Sequence, residues 1–316
     1  MIQVQDLKKH FRFRHNLITR LRHPDHVIKA VDGVSFDIKE GETLGLVGES
    51  GCGKTTLAKT MLRLHLPTGG RVLYRGRDIL SMGKKELKAL RREVQVIFQD
   101  SNSTLDPRMT LGSILEEPLR IHHVGNRDLR KQRVAEMMEK VKLSPAFLSR
   151  YPSELSGGQR QRISIGRALL LEPRFIVADE PLAGLDPIVS TQLLDLMLSL
   201  KRDYGLTYLF ISHDLDTVAY VSDRIGVMYR GKIVEIMNAE RFESKARHPY
   251  TRFLLTPAPR ASEPALDGGV HFRDQRSESG CLFSKKCPHS TQLCAELSPP
   301  LREIVPGHQV ACHLAD

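Results

Sequence analysis

The chain has 316 residues and a mass of 35.7 kDa, enough for about two domains and a substantial buried core. Its 41% hydrophobic and 27% charged residues exclude collagen-like, low-complexity and wholly disordered chains. Forty-seven Lys and Arg against 37 Asp and Glu leave +10, which admits nucleic acid, an anionic membrane surface or a polyanionic small molecule as partner, beside the plainer reading of a cationic solvated surface.

The longest stretch free of Asp, Glu, Lys and Arg covers only residues 304–315, short of the about 18 apolar residues that a spanning helix needs. The first residues (MIQVQDLKKHF) hold no continuous apolar run, so no secretory signal is expected. Residues 1–47 read as short strands, with alternation at 2–4 and 34–38 and a charged loop between Arg12 and Arg22. The run from Thr43 to Val47 closes on Gly48 and suits a strand buried on both faces. A helix follows Gly53, with Leu57, Met61, Leu62 and Leu64 on one side. A charged helix at 86–93 and a strand at 94–98 come next, then a helix-rich region at 103–150 punctuated by Pro107 and Pro118. A helix opens near Ser156 and runs through Ile163, Ile165, Ala168 and Leu169. Strands at 175–178 and 207–211 flank a long helix from Pro187, and 225–236 reads as a hairpin around Arg230-Gly231. Strands alternating with helices imply a parallel sheet with crossover helices. Residues 256–270 are rich in Pro, Ala and Gly, as a linker is, and a cysteine-bearing tail follows.

Gly48-Glu49-Ser50-Gly51-Cys52-Gly53-Lys54-Thr55 fits the phosphate-loop pattern G-x-x-x-x-G-K-[ST]. Its glycines let the backbone wrap with N–H groups inward, and the helix behind adds its positive dipole end. Lys54 is expected on the β- and γ-phosphates and Thr55 on Mg²⁺, with Thr56 beside them in the nucleotide-binding set. A plain Gly-rich turn is the alternative; the strand before and the helix after favour the phosphate loop. Asp179, closing the strand at 175–178, is suited to hold hydrated Mg²⁺, and Glu180 to polarise the attacking water.

Leu155-Ser156-Gly157-Gly158-Gln159, followed by Arg160-Gln161-Arg162, resembles the signature of ATP-binding-cassette ATPases. Ser156 is a good N-cap, and the two glycines bare the N–H groups of the helix start, making a second anion site. The resemblance implies an α/β fold: a P-loop NTPase core with a mostly parallel sheet, an N-terminal antiparallel β part, a helical subdomain and a small cysteine-containing C-terminal extension. It places the nucleotide-binding domain at 1–255, with its helical subdomain at about 103–155, and linker plus extension at 256–316. It implies head-to-tail pairing, each ATP held between one subunit's phosphate loop and the other's signature helix. By the same resemblance Gln99 is the Q-loop glutamine that senses Mg²⁺, Ala183-Gly184-Leu185-Asp186 the D-loop, and His213 the switch histidine at the γ-phosphate. Phe11 or Phe13 is the candidate to stack on adenine, with simple core packing as the alternative. The catalytic set is thus Lys54, Glu180 and His213.

The likeness extends further. Residues 30–36, Phe98-Gln99-Asp100, residues 105–110 and Arg247-His248-Pro249-Tyr250-Thr251 look like the ATPase subunits of dipeptide and oligopeptide importers, in particular the second such subunit. Nickel importers are close relatives and remain an alternative. Two departures, Leu182 and Gly184, remove no chemical group. The implied partners are a second ATPase subunit in a heterodimer, two transmembrane permease subunits and an extracytoplasmic peptide-binding protein, at the cytoplasmic face of a bacterial membrane. A soluble cassette ATPase acting on nucleic acid is the reading of a different class; a single cassette and the lack of a heptad insertion oppose it, and no nucleic acid is expected. A regulatory subunit without catalysis is opposed by intact Lys54, Glu180 and His213.

Cys281, Cys287, Cys294 and Cys312 offer four soft ligands, suited to a [4Fe–4S] cluster or to zinc. Structural zinc sites usually contain a closely spaced Cys pair, which is missing here. Some members of the resembling family bind a cluster in this tail; four reduced thiols in a packed extension are the plain alternative.

Overall fold

The structure, a computed structural model, describes residues 1–13, 26–99, 104–256 and 279–315. The linker, beyond Thr256, and most of the Arg-rich run lie outside the described residues. The first elements are β1 (Ile2–Phe13), β2 (His26–Ile38), β3 (Thr43–Val47), α1 (Lys54–Met61), β4 (Gly69–Tyr74) and β5 (Arg77–Asp78). Then come α2 (Lys84–Glu93), β6 (Val94–Ile97), α3 (Leu111–Ile121), α4 (Arg127–Lys140), α5 (Gly157–Leu169), β7 (Phe175–Asp179), α6 (Pro187–Tyr204) and β8 (Thr207–Ile211). The chain closes with α7 (Leu215–Val221), β9 (Arg224–Tyr229), β10 (Lys232–Asn238), α8 (Phe242–Lys245), α9 (Pro249–Leu255), α10 (Gln292–Glu296), β11 (Arg302–Val305) and β12 (His308–Val310).

The chain divides into two compact units. The first comprises Met1–Asp37, Leu44–Leu80 and His213–Asp316, the second Ile38–Thr43 and Ser81–Ser212. In the first unit β1 pairs antiparallel with β4, and β4 with β5. There too β3 runs parallel to β9, while β9, β10, β12 and β11 follow one another antiparallel. The cysteine-bearing extension is therefore stitched into the sheet through β12, with Glu235 opposite Val310. In the second unit β6, β7 and β8 run parallel. Strands β3, β7 and β8 are buried throughout their five residues, as strands covered on both faces are.

Four sequence expectations need correction. β1 and β2 are long, 12 and 13 residues, and Arg12 belongs to β1 rather than to a loop. A register shift between Gln5 and Lys8, with Asp6 at φ +46°, resets the alternation, so Val4 and Leu7 both face the core. That bulge ended the legible period-2 pattern after four residues. α1 stops at Met61; Leu64 lies outside it and is exposed, because Arg63 turns left-handed at φ +53°. Pro118 does not punctuate: it sits inside α3, where buried Leu111, Ile114, Leu115 and Leu119 hold the helix across the missing N–H. The hairpin turn is as expected, with Arg230 at φ +43° and Gly231 at +83°, the left-handed pair that tight hairpins favour.

Candidate active site

In the first unit β3 delivers the chain to Gly48, at φ +150°. A Cβ there would lie 2.2 Å from Met228 O, and one on Gly53 (φ +114°) would lie 2.1 Å from Ala30 O. Both positions exclude any side chain. Gly53 caps α1 with no side-chain hydrogen bond, so the positive end of the helix faces the loop without a capping side chain. Lys54 is only 5% exposed. Its Nζ donates to Gly48 O at 2.6 Å and Glu49 O at 3.1 Å, with Cys52 Sγ at 3.9 Å. These partners are dipoles rather than a carboxylate, so a buried positive charge stands at the positive end of α1. That cradle fits a nucleotide's phosphates.

Ser50 and Gly51 are exposed at the loop tip; Thr55 and Thr56 are half-buried on the first turn of α1. Burial pushes the Cys52 thiol up against the pull of Lys54, making it a neutral filler. Phe11 lies half-buried on β1, edge-on to His65 at 5.9 Å with Lys9 Nζ 4.8 Å from its ring. His213 is exposed, two residues beyond β8. The loop is tied from outside its own motif. Glu49 N–H donates to Tyr250 Oη at 3.0 Å, and Gly231 N–H donates to Cys52 O at 2.8 Å. Neither role is legible in the sequence, where Tyr250 is one residue of the Arg247–Thr251 motif and Gly231 one residue of a turn.

In the second unit β7 ends on Asp179, a carboxylate 3% exposed. Glu180 follows at φ +48°, a left-handed conformation costing a non-glycine residue about 1–3 kcal/mol. Its N–H donates to Ile211 O at 2.9 Å, and Gln99 Nε2 donates to its Oε2 at 3.2 Å. Gln99 thus holds the carboxylate of a residue on a strained turn.

Ser156 caps α5 as expected. Its Oγ accepts from Gln159 N–H at 3.3 Å, while Gln159 Oε1 accepts from Ser156 N–H at 3.0 Å. The signature therefore contains a capping box, a role the sequence pattern S-x-x-Q could have revealed. The glycines have a packing reason as well: a Cβ on Gly158 would lie 2.4 Å from Val189 Cγ1, and one on Gly157 3.1 Å from Leu185 Cδ2. Asp186 caps α6, accepting from Val189 N–H at 3.0 Å. Gly184 is at φ +75° with open space around it, so conformation rather than room selects glycine there.

In the extension Cys281 N–H donates to Cys294 O at 2.7 Å, and Cys281 interacts electrostatically with Cys294, Cys312 and Cys287. Burial pushes the Cys281 and Cys312 thiols up. Among the described residues no three or more His, Cys, Asp or Glu are placed to hold a single metal ion.

Residues 31–183 match the ABC transporter family, and residues 234–294 the C-terminal region of oligopeptide/dipeptide transporters. An oligopeptide transport ATP-binding protein of Bacillus subtilis, AppF, is 44% identical over 99% of this chain and 97% of its own length. A putative peptide import ATP-binding protein of Brucella ovis is 43% identical, over 99% and 97%. Among solved structures, the dimeric ATP-binding cassette MJ0796 bound to ADP and Pi aligns with a TM-score of 0.65 and 27% identity, covering 76% of this chain and 99% of that one. This chain belongs to the ABC transporter family. It is the ATPase component: it binds ATP with Mg²⁺ and couples hydrolysis to transport. Among the described residues no helix is long and apolar enough to cross a membrane.

Proposed function

We propose that this chain energises the import of dipeptides and oligopeptides through partner membrane subunits. The observation that carries the reading is the oligopeptide/dipeptide transporter region at 234–294, joined to a complete set of ATPase motifs. ATP supplies the anhydride bond that water breaks. Glu180 takes the proton of that water, Lys54 neutralises charge on the γ-phosphate, and His213 orients the site. Thr55, Asp179 and Gln99 hold Mg²⁺. Phe11 stacks on adenine, and residues 48–56 wrap the phosphates. A pair of ATPase subunits sandwiches each nucleotide, Ser156, Gly157, Gly158, Gln159 and Asp186 of one closing on the phosphate loop of the other.

The pair is a heterodimer with a second ATPase subunit, docked on two permease subunits at the cytoplasmic face of the membrane and supplied by an extracytoplasmic peptide-binding protein. The nucleotide-binding domain ends near residue 255, and the helical subdomain at about 103–155 faces the permeases. The extension carries a [4Fe–4S] cluster on Cys281, Cys287, Cys294 and Cys312. Four soft ligands in one extension, without the closely spaced Cys pair that structural zinc sites usually contain, support this reading over zinc. Deleting the gene should abolish uptake of peptides and not of free amino acids, with rescue by the wild-type chain and none by Lys54→Ala. Unimpaired peptide uptake with defective nickel accumulation transfers the assignment to the metal.

A further inference from the structure

The Arg247–Thr251 motif has no part in the chemistry described so far, yet it reaches the phosphate loop. Tyr250 is wholly buried, and its hydroxyl accepts from Glu49 N–H at 3.0 Å. A buried phenol needs a polar partner, and phenylalanine would fill nearly the same space without one. The hydroxyl therefore answers to the loop. Glu49 follows Gly48, whose φ of +150° is open only to glycine, so the backbone at this point depends on outside restraint.

The seat of Tyr250 is specified in turn. Glu235 is fully buried and accepts from Arg247 N–H at 2.7 Å and His248 N–H at 3.1 Å, with His308 Nε2 at 2.7 Å. His248 Nδ1 accepts from Tyr250 N–H at 3.1 Å and caps α9. The Tyr250 ring packs on Tyr229 at 4.4 Å between centroids and on Phe283 at 5.6 Å. Phe283 stands between Cys281 and Cys287, and also meets Tyr229 edge-on at 5.5 Å. A continuous chain of contacts thus joins the cysteine-bearing extension to the loop, all within one compact unit.

We propose that Tyr250 is a positioning residue of the phosphate loop, seated for that task by Phe283 of the extension. The hydroxyl fixes Glu49 so that the amides further along the loop keep their aim. The inference rests on the reading of residues 48–55 as the nucleotide cradle.

The test uses the full chain and three readouts. Tyr250→Phe should weaken ATP and ADP binding alike by about tenfold, the scale of one buried hydrogen bond lost, with kcat at saturating ATP changed by less than about twofold. Phe283→Ala, which keeps the hydroxyl and loosens its seat, should weaken both by about threefold. Amide exchange should speed up across residues 46–52 in both variants while residues 163–169 of α5 keep the wild-type rate. Wild-type nucleotide affinity in Tyr250→Phe, or exchange accelerated equally in both segments, overturns the proposal. If the unaltered chain bound no nucleotide, the cradle reading itself would fail, and exchange at residues 46–52 would still decide the role of Tyr250.

Discussion

Gln99 Nε2 donates to Glu180 Oε2 at 3.2 Å, so side chains beyond the ends of β6 and β7 share one carboxylate. The carboxylate is held and the turn under it is strained at φ +48°. Replacing it by its amide, Glu180→Gln, keeps the shape and removes the base. Turnover should fall at least about 100-fold while ATP still binds, and ATP-loaded dimers should accumulate. Phosphate release and light scattering report the two effects. Wild-type turnover would remove Glu180 from the role.

Gly53→Ala puts a methyl 2.1 Å from Ala30 O at φ +114°. Met228 Cε, 2.9 Å away, could swing aside, but the Ala30 carbonyl is backbone and cannot. The loop should lose its shape at a cost of about 2 kcal/mol or more, and ATP binding should become undetectable by calorimetry. Tight binding in this variant would show that the cradle is not built as described.

Gly158→Ala tests the signature from its packing side. The new methyl would meet Val189 Cγ1 at 2.4 Å, an overpacking penalty of about 1–3 kcal/mol. Val189→Ala removes that atom, so the double variant should regain most of the lost melting temperature. Equal melting temperatures for the single and double variants would place the damage elsewhere.

Burial holds the His248 imidazole down at about 4, and a hydrogen bond to the Ala311 backbone pulls weakly the other way. Above pH 6.5 the ring is neutral in folded and unfolded chains alike. Between 6.5 and about 4 the unfolded chain takes up a proton that the folded chain refuses, so stability falls with pH, by roughly 3 kcal/mol at most. Protonation would also take the lone pair on which Tyr250 N–H rests. Denaturant melts at pH 7 and pH 5 should show this slope, and it should shrink in His248→Asn, which still caps α9. An unchanged slope in that variant would assign the titration to another group.

Anaerobically purified protein should show the broad visible absorption and the iron and sulfide of a cluster, lost in Cys281→Ser. Colourless, iron-free protein with an intact tail would leave the four cysteines as packed thiols.

The central strands and the motif-bearing turns were legible because their signals are local. Thr43–Val47 and Thr207–Ile211 are short, mostly apolar runs between turns, and Gly48 to Thr55 is one contiguous pattern. β1 was legible only as far as its bulge, where the period of two is reset. Pro118 misled because a local rule about a missing N–H met a helix held by four buried side chains. The capping box of Ser156 and Gln159 lay open to a closer reading; the clash that reserves Gly158 did not, since Val189 belongs to another helix.

What the residue order alone determined was the chemistry available: a phosphate loop, an acidic strand end, a glycine-rich helix start, four grouped cysteines. Each is a contiguous or periodic pattern whose meaning survives without neighbours. Only tertiary structure decided which groups act on one another. Gln99 and Glu180 are 81 positions apart, and Tyr250 and Glu49 are 201 apart. A hydrogen bond across such distances depends on sheet register and side-chain packing, and these are properties of the folded chain that no local stretch encodes.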